Sequence, residues 1–100
     1  MKVRINLGVF YSPGDERRFF AGFSGNPAIA GVCGMGQQLE LTLIQRHLNH
    51  EALRDLIALL WRYHIPLSPL SPLANGARFT WLSDEKWYWH QSMFDERGLP

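Results

Sequence analysis

Residues 3–11 alternate without interruption: Val3, Ile5, Leu7, Val9 and Tyr11 fall on one side, Lys2, Arg4, Asn6 and Gly8 on the other. A period of two over that length predicts a strand with one buried face. Ser12-Pro13-Gly14-Asp15 has turn chemistry, because proline pre-sets φ and glycine accepts positive φ. A second strand is expected over 18–23, with Phe19, Ala21 and Phe23 on one side, before Ser24-Gly25-Asn26-Pro27 turns the chain again. Residues 28–36 are apolar but short of bulk, which predicts a third strand weakened or bulged by Gly31 and Gly34. A fourth follows where Leu39, Leu41 and Leu43 alternate with Glu40, Thr42 and Ile44. Helix is the rival there, since Leu41, Ile44 and Leu48 also fit a period of 3.6, and the β-branched Thr42 and Ile44 decide for strand.

The pattern then changes period. Leu53, Leu56, Ile57, Leu60 and His64 recur at helical spacing and predict an amphipathic helix over 50–64. Asn49 suits the N-cap, Glu51 suits the positive helix start and can pair with Arg54, and Pro66 closes the element. From Pro66 to Leu73, Pro and Leu each recur every third residue. A polyproline II segment has that period and would align Leu67, Leu70 and Leu73 along one edge. Asn75-Gly76 turns the chain, and 78–82 with 87–91 read as a hairpin around Ser83-Asp84-Glu85-Lys86. Phe79 and Trp81 would meet Trp87 and Trp89 on one face; Thr80, Leu82, Tyr88 and His90 would take the other. Residues 95–100 read as a frayed tail.

The sum is a β-β-β-β-α-β-β order within a single α+β domain over 1–100. It predicts a mostly antiparallel sheet of about five to six strands with one helix packed on one face. One hundred residues suffice for one core without staples. A composition 46% apolar and 19% charged is that of a folded chain. The formal charge of +1 gives no electrostatic basis for sequence-independent nucleic-acid binding. The single cysteine, Cys33, excludes an intrachain disulfide and a cysteine zinc site, and its apolar, glycine-flanked surroundings predict burial. The alternating N-terminus lacks the apolar stretch of a signal peptide, and no apolar run has the length of a membrane span. The expectation is a cytoplasmic protein.

Candidate chemistry is sparse. Gly31, Gly34 and Gly36 stand in the wrong order for a dinucleotide fingerprint and precede a strand pattern. His47 and His50 are three apart, not the spacing of a zinc-protease motif, and read as exposed residues at a helix entrance. The PxxP spacing of Pro66, Pro69 and Pro72 fits SH3-type grooves, but three leucines on one edge favour packing. Asp15-Glu16, Asp84-Glu85 and Asp95-Glu96 fall in predicted turns or the tail and face solvent. No cofactor and no metal are implied.

Six of thirteen aromatic residues lie within 79–94, and that concentration is the strongest functional signal. Trp and Tyr serve a core or a partner surface equally well. One helix covers one sheet face, which leaves rings for a partner. The expectation is a non-enzymatic protein-binding domain, of inhibitor, immunity or phage anti-defence type, acting by surface occlusion. The expected contact residues are Arg78, Trp81, Lys86, Trp87, Tyr88, Trp89 and His90. Two alternatives stand beside it: a small enzyme using Cys33 with His47, His50, His64 or His90, and a homo-oligomeric subunit that pairs through a sheet edge or face.

Overall fold

The computed structural model describes residues 1–8, 10 and 12–94. It corrects the expected architecture. Three strands form the sheet: β1 (Lys2–Asn6), β2 (Ile29–Met35) and β3 (Gln38–Leu43), in the order β1-β3-β2 with both pairings antiparallel. Among the described residues three α-helices accompany them, α1 (Pro13–Ser24), α2 (His50–Arg62) and the short α3 (His90–Phe94). Segments 45–47, 68–75 and 77–83 are 3-10 helical. Among the described residues the sheet has three strands and not five or six, and the single expected helix has helical company before and after it.

The first correction concerns 18–23, which is helix and not strand. Ser12 is an N-cap: its Oγ accepts the Asp15 N–H at 3.1 Å, Pro13 opens the first turn, and Asp15 and Glu16 follow at the positive helix start. Phe19 and Phe23, four apart, are both buried, whereas Ala21 is exposed, so the period is helical. Phe19 sits at the centre of an aromatic cluster, with ring centroids 5.0–5.4 Å from those of Phe10, Phe20, Phe23 and Tyr63.

β1 is shorter than the alternation at 3–11 suggests; positions 9 and 11 lie outside the described residues. The two strands expected at 28–36 and 39–44 are present as a hairpin, with Gly36-Gln37 as its two-residue loop. Gly36 has φ 66°, and positive φ at the first loop position suits a turn that follows strand twist. A bulge lies between Ile29 and Gly31, where the weak third strand was expected to bend. Val3, Ile5, Leu39, Leu41 and Leu43 form the buried inner face. Lys2, Arg4, Asn6, Gln38, Glu40 and Thr42 form the polar outer face, where Lys2 and Arg4 flank Glu40 at 3.6 and 3.3 Å and Gln38 donates to Asn6.

α2 follows its sequence signal closely. Asn49 Oδ1 accepts the Ala52 N–H at 2.8 Å, and Leu53, Leu56, Ile57 and Leu60 are buried. The helix stops before His64, which is exposed and adopts φ 61°. His64 N–H donates to the Trp61 carbonyl and Ile65 N–H to the Leu60 carbonyl, the paired bonds of a Schellman terminus. No Glu51–Arg54 ion pair forms among the described residues; the Arg54 guanidinium lies over Trp87 instead.

The proline tract is 3-10 helix and not polyproline II over Ser68–Asn75. Both forms repeat every three residues, so Leu67, Leu70 and Leu73 still share one side, and all three are buried. The tract belongs to the core. The aromatic hairpin is absent: 77–83 is 3-10 helix, and 90–94 is α3. A chain of tight turns replaces strand pairing, with Asp84, Trp87 and His90 N–H groups donating to the carbonyls of Trp81, Asp84 and Trp87. Ser83 Oγ donates to the Thr80 carbonyl, and Asp84 Oδ1 accepts the Lys86 N–H. Satisfying backbone and side-chain groups locally removes the need for a ladder.

One hydrophobic cluster joins sheet, helices and the C-terminal segment. The Cα radius of gyration, 13.1 Å, is that of a compact domain of this length. Buried Asn26 pins the α1–β2 loop to α2: its Nδ2 donates to the Ala52 carbonyl at 2.8 Å, and its Oδ1 accepts the Ala28 N–H at 3.0 Å. No helix among the described residues is long and apolar enough to cross a membrane. The tail expected at 95–100 lies outside the described residues.

Candidate functional site: an aromatic platform on helix α2

The C-terminal segment packs along one flank of α2, on His50, Arg54 and Trp61, and the expected contact residues separate into three roles. Trp89 is fully buried and cannot be a contact residue; its indole N–H donates to the Leu82 carbonyl at 3.4 Å. Trp87 stacks on Trp89, with ring centroids 4.6 Å apart and planes within 8°, and its indole N–H donates to the Trp81 carbonyl at 2.8 Å. Trp81 stands edge-on to both indoles. The three tryptophans thus meet as the expected hairpin would have had them meet, through turns instead of strands.

Tyr88 lies between the two stacked residues in sequence and packs edge-on to Trp89, with ring centroids 5.0 Å apart. It is 49% exposed and touches the 44% exposed ring of Trp61 edge to face, at 5.0 Å between centroids. Cations rim the platform: the Arg54 guanidinium and the Lys86 ammonium lie 5.1 and 4.9 Å from the Trp87 ring centroid. Lys86 also stands 3.9 Å from Asp84. His50 packs its ring on Trp81 at 4.1 Å. Between α2 and Tyr88 runs an open depression of about 270 Å³, lined by His50, Glu51, Arg54, Asp55, Ala58 and Tyr88.

Arg78 and His90 are placed differently. The Arg78 guanidinium donates to the carbonyls of Gln45 and Leu48 at 2.8 and 3.1 Å, clamping the entrance of α2 to the C-terminal segment. His90 is half-buried against Phe94. Sequence reasoning missed Trp61, Arg54 and His50 as members of the platform. Trp61 carries a readable signal: it is a large apolar residue on α2 that lies outside the stripe of Leu53, Leu56, Ile57 and Leu60.

Cys33 is exposed on β2, contrary to the expected burial. It lies opposite Glu40 of β3 and therefore projects from the polar outer face of the sheet, away from the core. Its thiol contacts the Gly34 carbonyl at 3.8 Å, while His47 accepts from Arg46, His50 packs on Trp81 and His90 on Phe94. Among the described residues no three His, Cys, Asp or Glu side chains come together to hold a metal ion. Comparison with protein-family models, with curated proteins and with solved structures gave no match to this chain.

Proposed function

We propose that this chain is a non-enzymatic binding domain that acts by covering a surface of another protein, in the manner of an inhibitor, immunity or anti-defence protein. One observation carries the proposal: Trp61 and Tyr88 form an exposed aromatic pair set on a rigid base. The base matters energetically. Trp87 and Trp89 hold the backbone on both sides of Tyr88 through stacking and two indole hydrogen bonds. A ring fixed before contact loses little conformational freedom on binding, and such aromatic anchors concentrate binding energy. The rim carries both signs, Arg54 and Lys86 beside Glu51, Asp55 and Asp84, which suits a partner with mixed charge around an apolar centre. A cytoplasmic location accords with this reading, since a fold with one unpaired cysteine draws nothing from an oxidising compartment.

The test is site-specific photo-crosslinking in the native host, with the reactive residue at Tyr88 and, as control, at exposed Arg17 on α1. The proposal expects one dominant protein adduct from position 88 and none from position 17. Loss of that adduct in Trp61→Ala at unchanged melting temperature would support it further. Equal adducts at both positions, or none, would reject it.

A further inference from the structure

We propose that the open edge of β2 pairs antiparallel with β2 of a second copy of this chain, about a two-fold axis through Cys33. The two edges of the sheet differ. β1 carries Lys2 and Arg4 and lies against the 68–75 segment. β2, reading Ile-Ala-Gly-Val-Cys-Gly-Met, holds no charge and no proline, and exposes Val32, Cys33, Gly34 and Met35. Charge and proline are the usual guards against edge pairing, and β2 has neither. A charged edge repels its own copy; an uncharged one does not.

The hairpin fixes which backbone groups face that edge. The two-residue loop makes Met35 and Gln38 a hydrogen-bonded pair, and alternation then assigns the same status to Cys33–Glu40 and Gly31–Thr42. The N–H and C=O groups of Val32 and Gly34 therefore point away from β3. They pair with their equivalents in a second copy when Val32 faces Gly34 of that copy and Gly34 faces its Val32. This register places the axis at Cys33.

The side chains agree with the same register. Val32, exposed on the inner side, comes to lie opposite a glycine with nothing within 4 Å of its missing Cβ. Met35, exposed on the outer side, comes to lie opposite Gly31. Each bulky residue thus meets a glycine, and the two Cys33 residues meet each other. Cys33 becomes a non-hydrogen-bonded cross-strand pair, for which Cα atoms stand about 4.5 Å apart, within disulfide reach.

Two measurements on the intact chain test this pairing. Sedimentation equilibrium from about 1 to 300 µM should show a monomer–dimer equilibrium, and Val32→Lys should raise Kd at least ~10-fold by setting lysines near the axis. With copper–phenanthroline as oxidant, the wild-type chain should form a Cys33–Cys33 disulfide dimer. It should do so at least ~10-fold faster than a Cys33→Ser, Ser83→Cys control, whose thiol stands on an exposed site away from the edge and links only by collision. The disulfide assay needs no change to β2 in the wild-type chain, so it decides the matter even where Val32→Lys fails to fold. A monomer at every concentration overturns the proposal. So does a dimer that ignores a folded Val32→Lys, or one whose Cys33 crosslinks no faster than the control.

Discussion

Removing the Asn26 side chain should destabilise the domain far more than an ordinary loop substitution. Asn26 is 7% exposed and makes two side-chain hydrogen bonds, one to the Ala52 carbonyl and one from the Ala28 N–H. In Asn26→Ala the Ala52 carbonyl keeps its place in the α2 ladder, so the first loss is one bond, about 1 kcal/mol. The Ala28 N–H fares worse. Ala28 is wholly buried, and an orphaned buried donor costs about 1–3 kcal/mol. The sum is about 3 kcal/mol, which for a domain of this length lowers the melting temperature by about 12–24 °C. Urea denaturation followed by circular dichroism measures it, with an unchanged m-value showing that the loss lies in the native state. Asn26→Asp adds a second, directional check. A protonated carboxyl can still donate to Ala52 and accept from Ala28; an ionised one cannot donate and carries a buried charge. Burial holds such a carboxyl above its unfolded value of about 3.9, so the penalty is absent below that pH and grows as pH rises beyond it. A cost below about 0.5 kcal/mol for Asn26→Ala would refute the role given to this residue. So would an Asn26→Asp penalty independent of pH.

Three further outcomes are expected. His64→Gly should stabilise the chain by about 1 kcal/mol, since His64 holds φ 61° at the position where helix ends prefer glycine; a lower melting temperature would contradict the Schellman assignment. Trp89→Ala should cost about 3–5 kcal/mol while Trp61→Ala costs under about 1 kcal/mol, and acrylamide should quench the Trp61 emission before that of Trp89; comparable costs would remove the distinction between base and anchor. Arg78→Lys should lose about 1–2 kcal/mol in urea denaturation, because an ammonium cannot reproduce the fork to Gln45 and Leu48; full retention of stability would show the clamp to be idle.

α2 was legible in the sequence because it has a single consistent period and an unambiguous terminus, and β2 and β3 were legible as two strands, though not as the hairpin they form. Asn49 and Leu53, Leu56, Ile57 and Leu60 admit one reading, whereas Leu39, Leu41 and Leu43 needed the β-branched Thr42 and Ile44 to decide against helix. α1 was hidden because Ser-Pro-Gly-Asp serves a turn and a helix start equally, and because Phe19, Ala21 and Phe23 also satisfy a period of two. Only the tertiary contacts, Phe19 against Phe10 and Tyr63, decide between them. The aromatic segment was harder. Its 3-10 turns have a period between those of strand and helix, and its fixed geometry comes from indole hydrogen bonds across six or seven residues that no periodicity encodes. Of the platform, the cluster at 81–89 was legible as a concentration of rings. That Trp89 faces inward and Tyr88 outward was not, since alternation on a strand would have placed Trp87 and Trp89 together and Tyr88 opposite, whatever lay beneath. Trp61 could have been found by asking which apolar residue of α2 its own stripe leaves out.

The leucine-bearing 68–75 segment constrains how this fold can diverge. With three residues per turn, each side chain stands above the one three places earlier. Deleting a single residue would swing every later leucine about 120° out of the interior; deleting three would shorten the rod and leave its registry whole. Descendants of this chain should therefore gain or lose length here in whole Ser-Pro-Leu units, so that the spacing of the tract becomes a reading frame of its own.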